Sequence, residues 1–473
     1  MSAPILWMLL PMLAGGVLFL MRRWYRLTVS LGTGLALLLA LLAWQVPIDT
    51  LLRLGAWTFK INASLDVLGR QFTLAEADRP LLTVIYVLAA IWFAVAYVSR
   101  AGRIFVPLGL VTTGLLVGVP AVDPFLYAAL LLEMVALVCV VILTRPGHPL
   151  RRGVLRFLIF QTLGMPFILF TGWLLTGVEA SPGELALVSR AALLLGIGFV
   201  FWLAVFPFHT WLPMVAEEAH PLSAGFVFFM YSFVVLLFGL GFLERFAWLR
   251  SAAQLATLLR LAGTLMVLTG GVWIAFQRHL ARMFGFGVMI EIGKALLAVS
   301  LPGGLPLFFA MLLPRAIALA VWSLALVVLQ KSPDQSATRP LDFRNIQGLA
   351  HKYPLAASGL ILALFSLGGL PLLAGFPVYV SLTRQLSAAS PVIAVLSLIG
   401  TAGLIAAGLR SLSILFIHPD TQSPRWQLTE RGTVILFLAI GILALFVVGL
   451  FPQAFLPPLA ELALRFPHLA PAP

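Results

Sequence analysis

The chain has 473 residues, 61% of them hydrophobic and 10% charged, a balance that excludes a water-soluble globular domain. Its net charge of +13 does not point to nucleic acid, because the arginines sit in short segments between apolar runs, where they orient a membrane protein. The single cysteine, Cys139, lies in the middle of an apolar run, which excludes a disulfide framework and a cysteine-ligated iron–sulfur cluster within one chain.

Apolar runs long enough to cross a bilayer recur from end to end and predict an all-α polytopic membrane protein of about fourteen transmembrane helices. In chain order they fall near 3–20, 27–46, 81–98, 104–120, 124–144, 154–177, 190–212, 222–243, 255–276, 283–301, 304–330, 355–383, 390–416 and 431–451. The first run precedes its arginines, Arg22 and Arg23, whereas a cleavable signal carries its charge first, so 3–20 reads as a retained span. The polar stretches 47–80 and 331–353 read as loops. The seventh and twelfth runs are interrupted by proline and glycine, at Phe206-Pro207-Phe208-His209 and at Leu367-Gly368-Gly369-Leu370-Pro371. A broken helix in lipid must find partners for its freed backbone groups, and paired breaks in two halves of a chain mark ion transporters built from repeats. Helices four to eight and nine to thirteen can be laid over each other as two inverted five-helix repeats. This divides the chain into an N-terminal three-helix segment (1–103), a first repeat (104–243), a second repeat (255–416) and a C-terminal helix with its tail (417–473).

Positive charge sets the orientation. Arg22, Arg23 and Arg26, then Arg100 and Arg103, then Arg145, Arg151, Arg152 and Arg156, then Arg278 and Arg282 lie in odd-numbered loops. Lys331, Arg339, Arg344 and Lys352 face Asp334 and Asp342 in the eleventh. Odd loops then lie in the cytoplasm and both termini outside, with Arg245, Arg250 and Arg260 of the eighth loop as an exception.

Few ionisable residues fall within spans: Glu133, Glu291, Lys294 and Arg315, with His209 in the first break. A charge at mid-bilayer costs roughly 3 kcal/mol on insertion scales and needs a partner or water. Glu133 has no charge on its own helix to pair with, and reads either as a proton-carrying carboxylate or as a neutral acid bonded to a neighbouring helix. Glu291 and Lys294 stand three apart on one helical face, as a self-neutralising pair or as an acid and base that relay a proton. Arg315 stays protonated and cannot relay; it is either a fixed charge beside an acid or a snorkelling side chain. His209 either titrates or caps carbonyls freed by the break. No metal spacing, phosphate loop or catalytic triad stands out, so no cofactor, metal or catalytic chemistry is expected in this chain alone.

The stretch Phe206-Pro207-Phe208-His209-Thr210-Trp211-Leu212-Pro213 resembles the broken seventh helix of the antiporter-like membrane subunits of respiratory complex I, Mrp-type sodium/proton antiporters and energy-converting hydrogenases. Glu217-Glu218-Ala219-His220-Pro221-Leu222-Ser223-Ala224 looks like the step that follows it. Leu364 to Phe376 is similar to the family's broken twelfth helix, and Gly449-Leu450-Phe451-Pro452 to its C-terminal end. The resemblance implies fourteen helices with inverted repeats and a row of buried charges that conducts protons. It places Glu133 at the family's fifth-helix glutamate. It also shows departures: the family's other charged positions fall near Trp202, between Val227 and Ser232, and near Tyr379, while Glu291 and Lys294 are charges the family does not usually carry there.

The function expected is therefore a proton-translocating subunit of a multi-subunit complex of the NADH:quinone oxidoreductase or hydrogenase type, with other membrane subunits as partners, in a bacterial inner membrane. The alternatives are a Mrp-type cation/proton antiporter subunit, with sodium as the further ion, and a degenerate structural subunit that anchors a soluble partner, as in inorganic-carbon uptake. Lipid is the surrounding contact, and nucleic acid is not expected.

Overall fold

The computed structural model describes residues 2–54, 57–67, 69–144, 149–180, 185–250, 252–331, 339–417 and 429–469. The loop charges Arg145 and Asp334 lie outside the described residues. Most of the described chain is helical. The helices are α1 (Leu10–Leu20), α2 (Tyr25–Gln45), α3 (Arg79–Ser99), α4 (Phe105–Ala121), α5 (Ala128–Leu143), α6 (Arg152–Ala180), α7 (Leu185–Trp202), α8 (Trp211–Glu218), α9 (Pro221–Arg245) and α10 (Ala247–Arg250). They continue as α11 (Ala253–Phe276), α12 (Leu280–Val299), α13 (Leu305–Ala310), α14 (Leu312–Leu329), α15 (Pro354–Leu367), α16 (Phe376–Ala389), α17 (Pro391–Phe416), α18 (Gly432–Leu450) and α19 (Pro452–Ala460). Among the described residues, nine helical segments are long and apolar enough to cross a membrane. Two shorter apolar helices, Ala186–Trp202 and Pro354–Leu367, are short because each stops at a sequence break.

The stretch 47–80 is more than the loop expected of it. Leu51–Leu54 pairs antiparallel with Trp57–Lys60, and Ser64–Val67 pairs antiparallel with Arg70–Thr73, which also meets Val122–Asp123. The second hairpin turns at Gly69, whose φ of 71° suits a residue without a Cβ. Ser64-Leu65-Asp66-Val67 alternates exposed and half-buried positions, the period of a strand with one covered face.

Contacts divide the chain into two units, Met1–Leu203 with Met230–Ser251, and Ala204–Phe229 with Ala252–Pro473. In the first, α2 packs on α3, α1 on α4, and α4 through α7 pack in succession. Aromatic rings fill its interior, where Phe238 and Phe242 meet each other and each meets both Phe125 and Phe199. In the second, α11 packs on α12 and α17, and α15 on α14, α17 and α18. The α11–α17 approach is backbone on backbone: a Cβ on Gly271 would lie 2.1 Å from the Gly400 carbonyl. Small residues bring helices this close where apolar burial alone gives no attraction in lipid.

Candidate functional site

In the second unit α12 carries Glu291 and Lys294, both 1% exposed. One helical turn separates them, so the pair forms locally: Lys294 Nζ donates to Glu291 Oε1 at 2.9 Å. Two partners come from the second break. The Lys294 ammonium donates to the Leu367 carbonyl at 2.5 Å, at the last residue of α15. The Tyr379 hydroxyl donates to Glu291 Oε2 at 2.5 Å, and the Tyr379 ring lies 3.7 Å from Lys294 Nζ, centroid to nitrogen. Both carboxylate oxygens are thus engaged, one by a cation and one by a phenol.

The break explains how Leu367 and Tyr379 reach that position. After Leu367 the chain turns through Gly369 (φ 72°) and Leu372 (φ 70°) before α16 starts at Phe376. Its freed groups are satisfied locally: Leu370 N–H donates to Phe365 O, and Gly375 N–H donates to the Ser366 hydroxyl at 3.2 Å. Gly375 leaves no room for a side chain, since a Cβ there would lie 2.0 Å from the Ser366 carbonyl and 2.6 Å from the Tyr379 ring. Tyr379, one turn into α16, is thereby aimed back at α12.

Arg315 is also buried, at 3% exposure, which corrects the snorkelling alternative. It lies just after a one-residue irregularity at Met311, inside the continuous apolar segment Leu305–Leu329 and so near the middle of the predicted span 304–330. Its guanidinium lies 5.6 Å from the centre of the Phe229 ring, and its Nε and Nη2 have no hydrogen-bond partner among the described residues. It interacts electrostatically with Glu291 and Tyr379. Carboxylate and two cations therefore form one buried charged group.

His209 lies in a short 3₁₀ turn, Phe208–Thr210, ahead of α8. The ring stacks on Phe206 at 5.5 Å and approaches Phe286 at 6.4 Å. It meets the Pro207 backbone, while Nδ1 has no partner among the described residues.

Glu133 belongs to the first unit and has different surroundings. It is half-buried on α5, where Thr162 of α6 donates to Oε1 at 2.8 Å and Oε2 has no partner among the described residues. The Tyr231 hydroxyl and the fully buried side chain of Gln161, next in sequence to Thr162, also have no hydrogen-bond partner among the described residues, and Tyr231 interacts electrostatically with Glu133. Trp202 is buried, with its indole N–H on the Gln161 carbonyl at 2.9 Å. A Cβ at Gly164 would fall 2.4 Å from the indole nitrogen, so the ring occupies a slot that a glycine on α6 opens.

The cluster thus contains Tyr379, which in the sequence marks only a departure near one of the family's charged positions. Its position three residues into a helix that follows a glycine break was the available signal. The structure brings Glu291, Lys294 and Arg315 together and leaves Glu133 in a separate polar group.

A family model described as NADH:quinone oxidoreductase/Mrp antiporter, TM, matches residues 153–405. The NADH-quinone oxidoreductase subunit N of Deinococcus radiodurans is 24% identical over 277 residues, which cover 58% of this chain and 54% of that protein. The match therefore spans about half the length of that relative. Subunit 14 of the NADH-quinone oxidoreductase of Thermus thermophilus is 30% identical over 365 residues, covering 71% of this chain and 79% of the other. A chain in the Mrp complex of Dietzia sp. DQ12-45-1b has the same fold, with a TM-score of 0.81 at 18% identity, over 98% of this chain and 97% of its own. With more than half of its length matched by the family model, and with a shared polytopic helical fold, the chain belongs to the NADH:quinone oxidoreductase/Mrp antiporter family of integral membrane subunits.

Proposed function

We propose that this chain moves protons across a membrane as one subunit of a multi-subunit complex. The observation that carries the reading is the buried group of Glu291, Lys294, Tyr379 and the Leu367 carbonyl at a helix break. Ionisable residues at that depth are costly and are kept where ions pass, and irregular backbone lies where it lines a route. Glu133, with one oxygen that has no hydrogen-bond partner among the described residues and with Tyr231 in electrostatic reach, supplies a second exchange point of the kind that water connects. His209 is a third titratable group, and Arg315 a fixed positive charge within electrostatic reach of the acid.

In this reading the two breaks belong to inverted five-helix repeats, 104–243 and 255–416, within about fourteen spans. The first 103 residues and the last helix flank them. Odd loops lie in the cytoplasm of a bacterial cell and both termini lie outside. The names of the relatives supply the expected partners, other membrane subunits of an oxidoreductase or antiporter complex.

One observation favours a second reading. Trp202 fills the place near which the family carries a lysine, and its indole is tied to the Gln161 carbonyl. A chain that kept the fold without conducting would look like this at that point. Proton uptake into inverted membrane vesicles decides between the two. Glu291→Gln and Glu133→Gln, each present at wild-type amounts, are expected to lower proton uptake several-fold. Unchanged uptake in both variants would leave the structural role and overturn the proposal.

A further inference from the structure

Lys294 has surroundings that a small cation would also accept. Its ammonium is held by a carboxylate oxygen at 2.9 Å, by a main-chain carbonyl at 2.5 Å and by the face of an aromatic ring at 3.7 Å. The carbonyl belongs to the last residue of α15, and a helix C-terminus carries partial negative charge and carbonyls without intrahelical donors. Unwound carbonyls and half-helix C-termini are the groups that coordinate sodium at broken helices. The aromatic face adds attraction for any cation within reach. Here all of these converge on one tethered nitrogen, 1% exposed.

We propose that the Glu291 carboxylate, the Leu367 carbonyl and the Tyr379 ring form a monovalent-cation site whose resident cation is the Lys294 ammonium. Sodium and potassium are excluded because the site is already filled. Glu291 Oε2 offers no second opening, since it accepts the Tyr379 hydroxyl at 2.5 Å. Arg315, within electrostatic reach of Glu291, makes the group one carboxylate against two cations. A further cation would then add to an excess of positive charge in a low-dielectric interior. The only cation the intact site exchanges is a proton. That last step rests on the proton-translocation reading; the existence of the site does not.

The proposal is tested by thermal unfolding of the purified full-length chain in detergent, with propylammonium, sodium, potassium or choline chloride at equal ionic strength. Lys294→Ala removes the tethered ammonium and opens space, while Lys294→Met removes the charge and keeps the space filled. Lys294→Ala is expected to lose stability in choline and to regain several degrees, saturably, with propylammonium or sodium, since a ligand that binds only the folded state raises its apparent stability. Wild type and Lys294→Met are expected to respond to none of the cations beyond choline. The gain is expected to vanish in Lys294→Ala combined with Glu291→Gln. Equal shifts in wild type and Lys294→Ala, or no cation-specific shift in Lys294→Ala, would overturn the site. Should Lys294→Ala yield no folded protein in choline, purification in propylammonium decides: recovery in that cation alone supports the site, and equal failure in both overturns it. Because the readout is unfolding, a cation effect without proton uptake would sink the transport reading and keep the site, and the reverse result would do the opposite.

Discussion

At Tyr379, which the sequence marks only as lying near one of the family's charged positions, a phenol makes two contacts to the buried pair. Its O–H is the sole described donor to Glu291 Oε2, and its ring flanks Lys294. Tyr379→Phe separates the two roles, because phenylalanine keeps the aromatic face and removes the hydroxyl. A buried carboxylate oxygen left without its donor costs about 1–3 kcal/mol. Thermal unfolding should therefore show a clear loss of stability in Tyr379→Phe, whereas Tyr379→Leu, which also loses the cation–π contact, should lose more. Equal stability of wild type and Tyr379→Phe would mean that the hydroxyl contributes nothing to holding the acid. The Glu291–Lys294 contact was legible in the sequence because three residues on a helix are neighbours by geometry. The contacts to Leu367 and Tyr379 span 73 and 88 residues, and no local rule brings such positions together. Glu133 was legible as an isolated charge in an apolar run, but its Thr162 partner, on another helix, was not.

At the scale of elements, the breaks were readable because proline and glycine act on the backbone directly. The irregularity at Met311 is slight, since its N–H still donates to the Leu307 carbonyl and Arg315 N–H to the Met311 carbonyl, and Pro314 removes a donor from the same turn. The hairpins between residues 51 and 73 were missed because strands of four residues are too short for their alternation to decide between strand and loop. Helix α12, which carries the cluster, begins with a cap that depends on pH. His279 Nδ1 accepts from the Arg282 N–H at 3.4 Å, and only an unprotonated nitrogen can accept. Burial holds this imidazole below its ordinary value of 6.5, while Glu217 and Asp342 pull the other way. A base held lower in the folded state makes its stabilising contribution above the ordinary value. That contribution fades as pH falls through the ordinary value towards the folded one, because the unfolded chain takes the proton first. Stability of the wild type should thus decline between neutral and mildly acidic pH. His279→Asn, a good capping residue, should flatten this part of the curve, and His279→Ala should cost about 1 kcal/mol at neutral pH. An unfolding profile with the same acid slope in wild type and His279→Asn would remove the cap from the account.

At the scale of the whole molecule, large apolar side chains stand outward: Phe276 is 77% exposed, Trp173 74% and Leu443 61%. On helices long enough to cross a bilayer such faces must meet lipid or another apolar protein surface, since water would make them a severe liability. The buried Pro221–Arg245 and Leu305–Leu329 segments contrast with Gly432–Leu450, little of which is fully buried. The helices differ in how much of their surface remains for lipid and neighbouring subunits. Composition made the membrane assignment legible at once, but it cannot rank these faces, because lipid and subunit contacts select the same apolar residues. Extraction of the tagged chain from its native membranes in mild detergent, followed by mass spectrometry, provides the ranking. The chain is expected to bring several other polytopic subunits with it in fixed proportion, and redox subunits among them would place the energy source in electron transfer. Small antiporter subunits without redox centres would instead place it in an ion gradient, with the proton route unchanged. Recovery of the chain alone, or with one soluble protein, would remove the multi-subunit assignment and favour the anchoring role in which Trp202 closes the first unit's route.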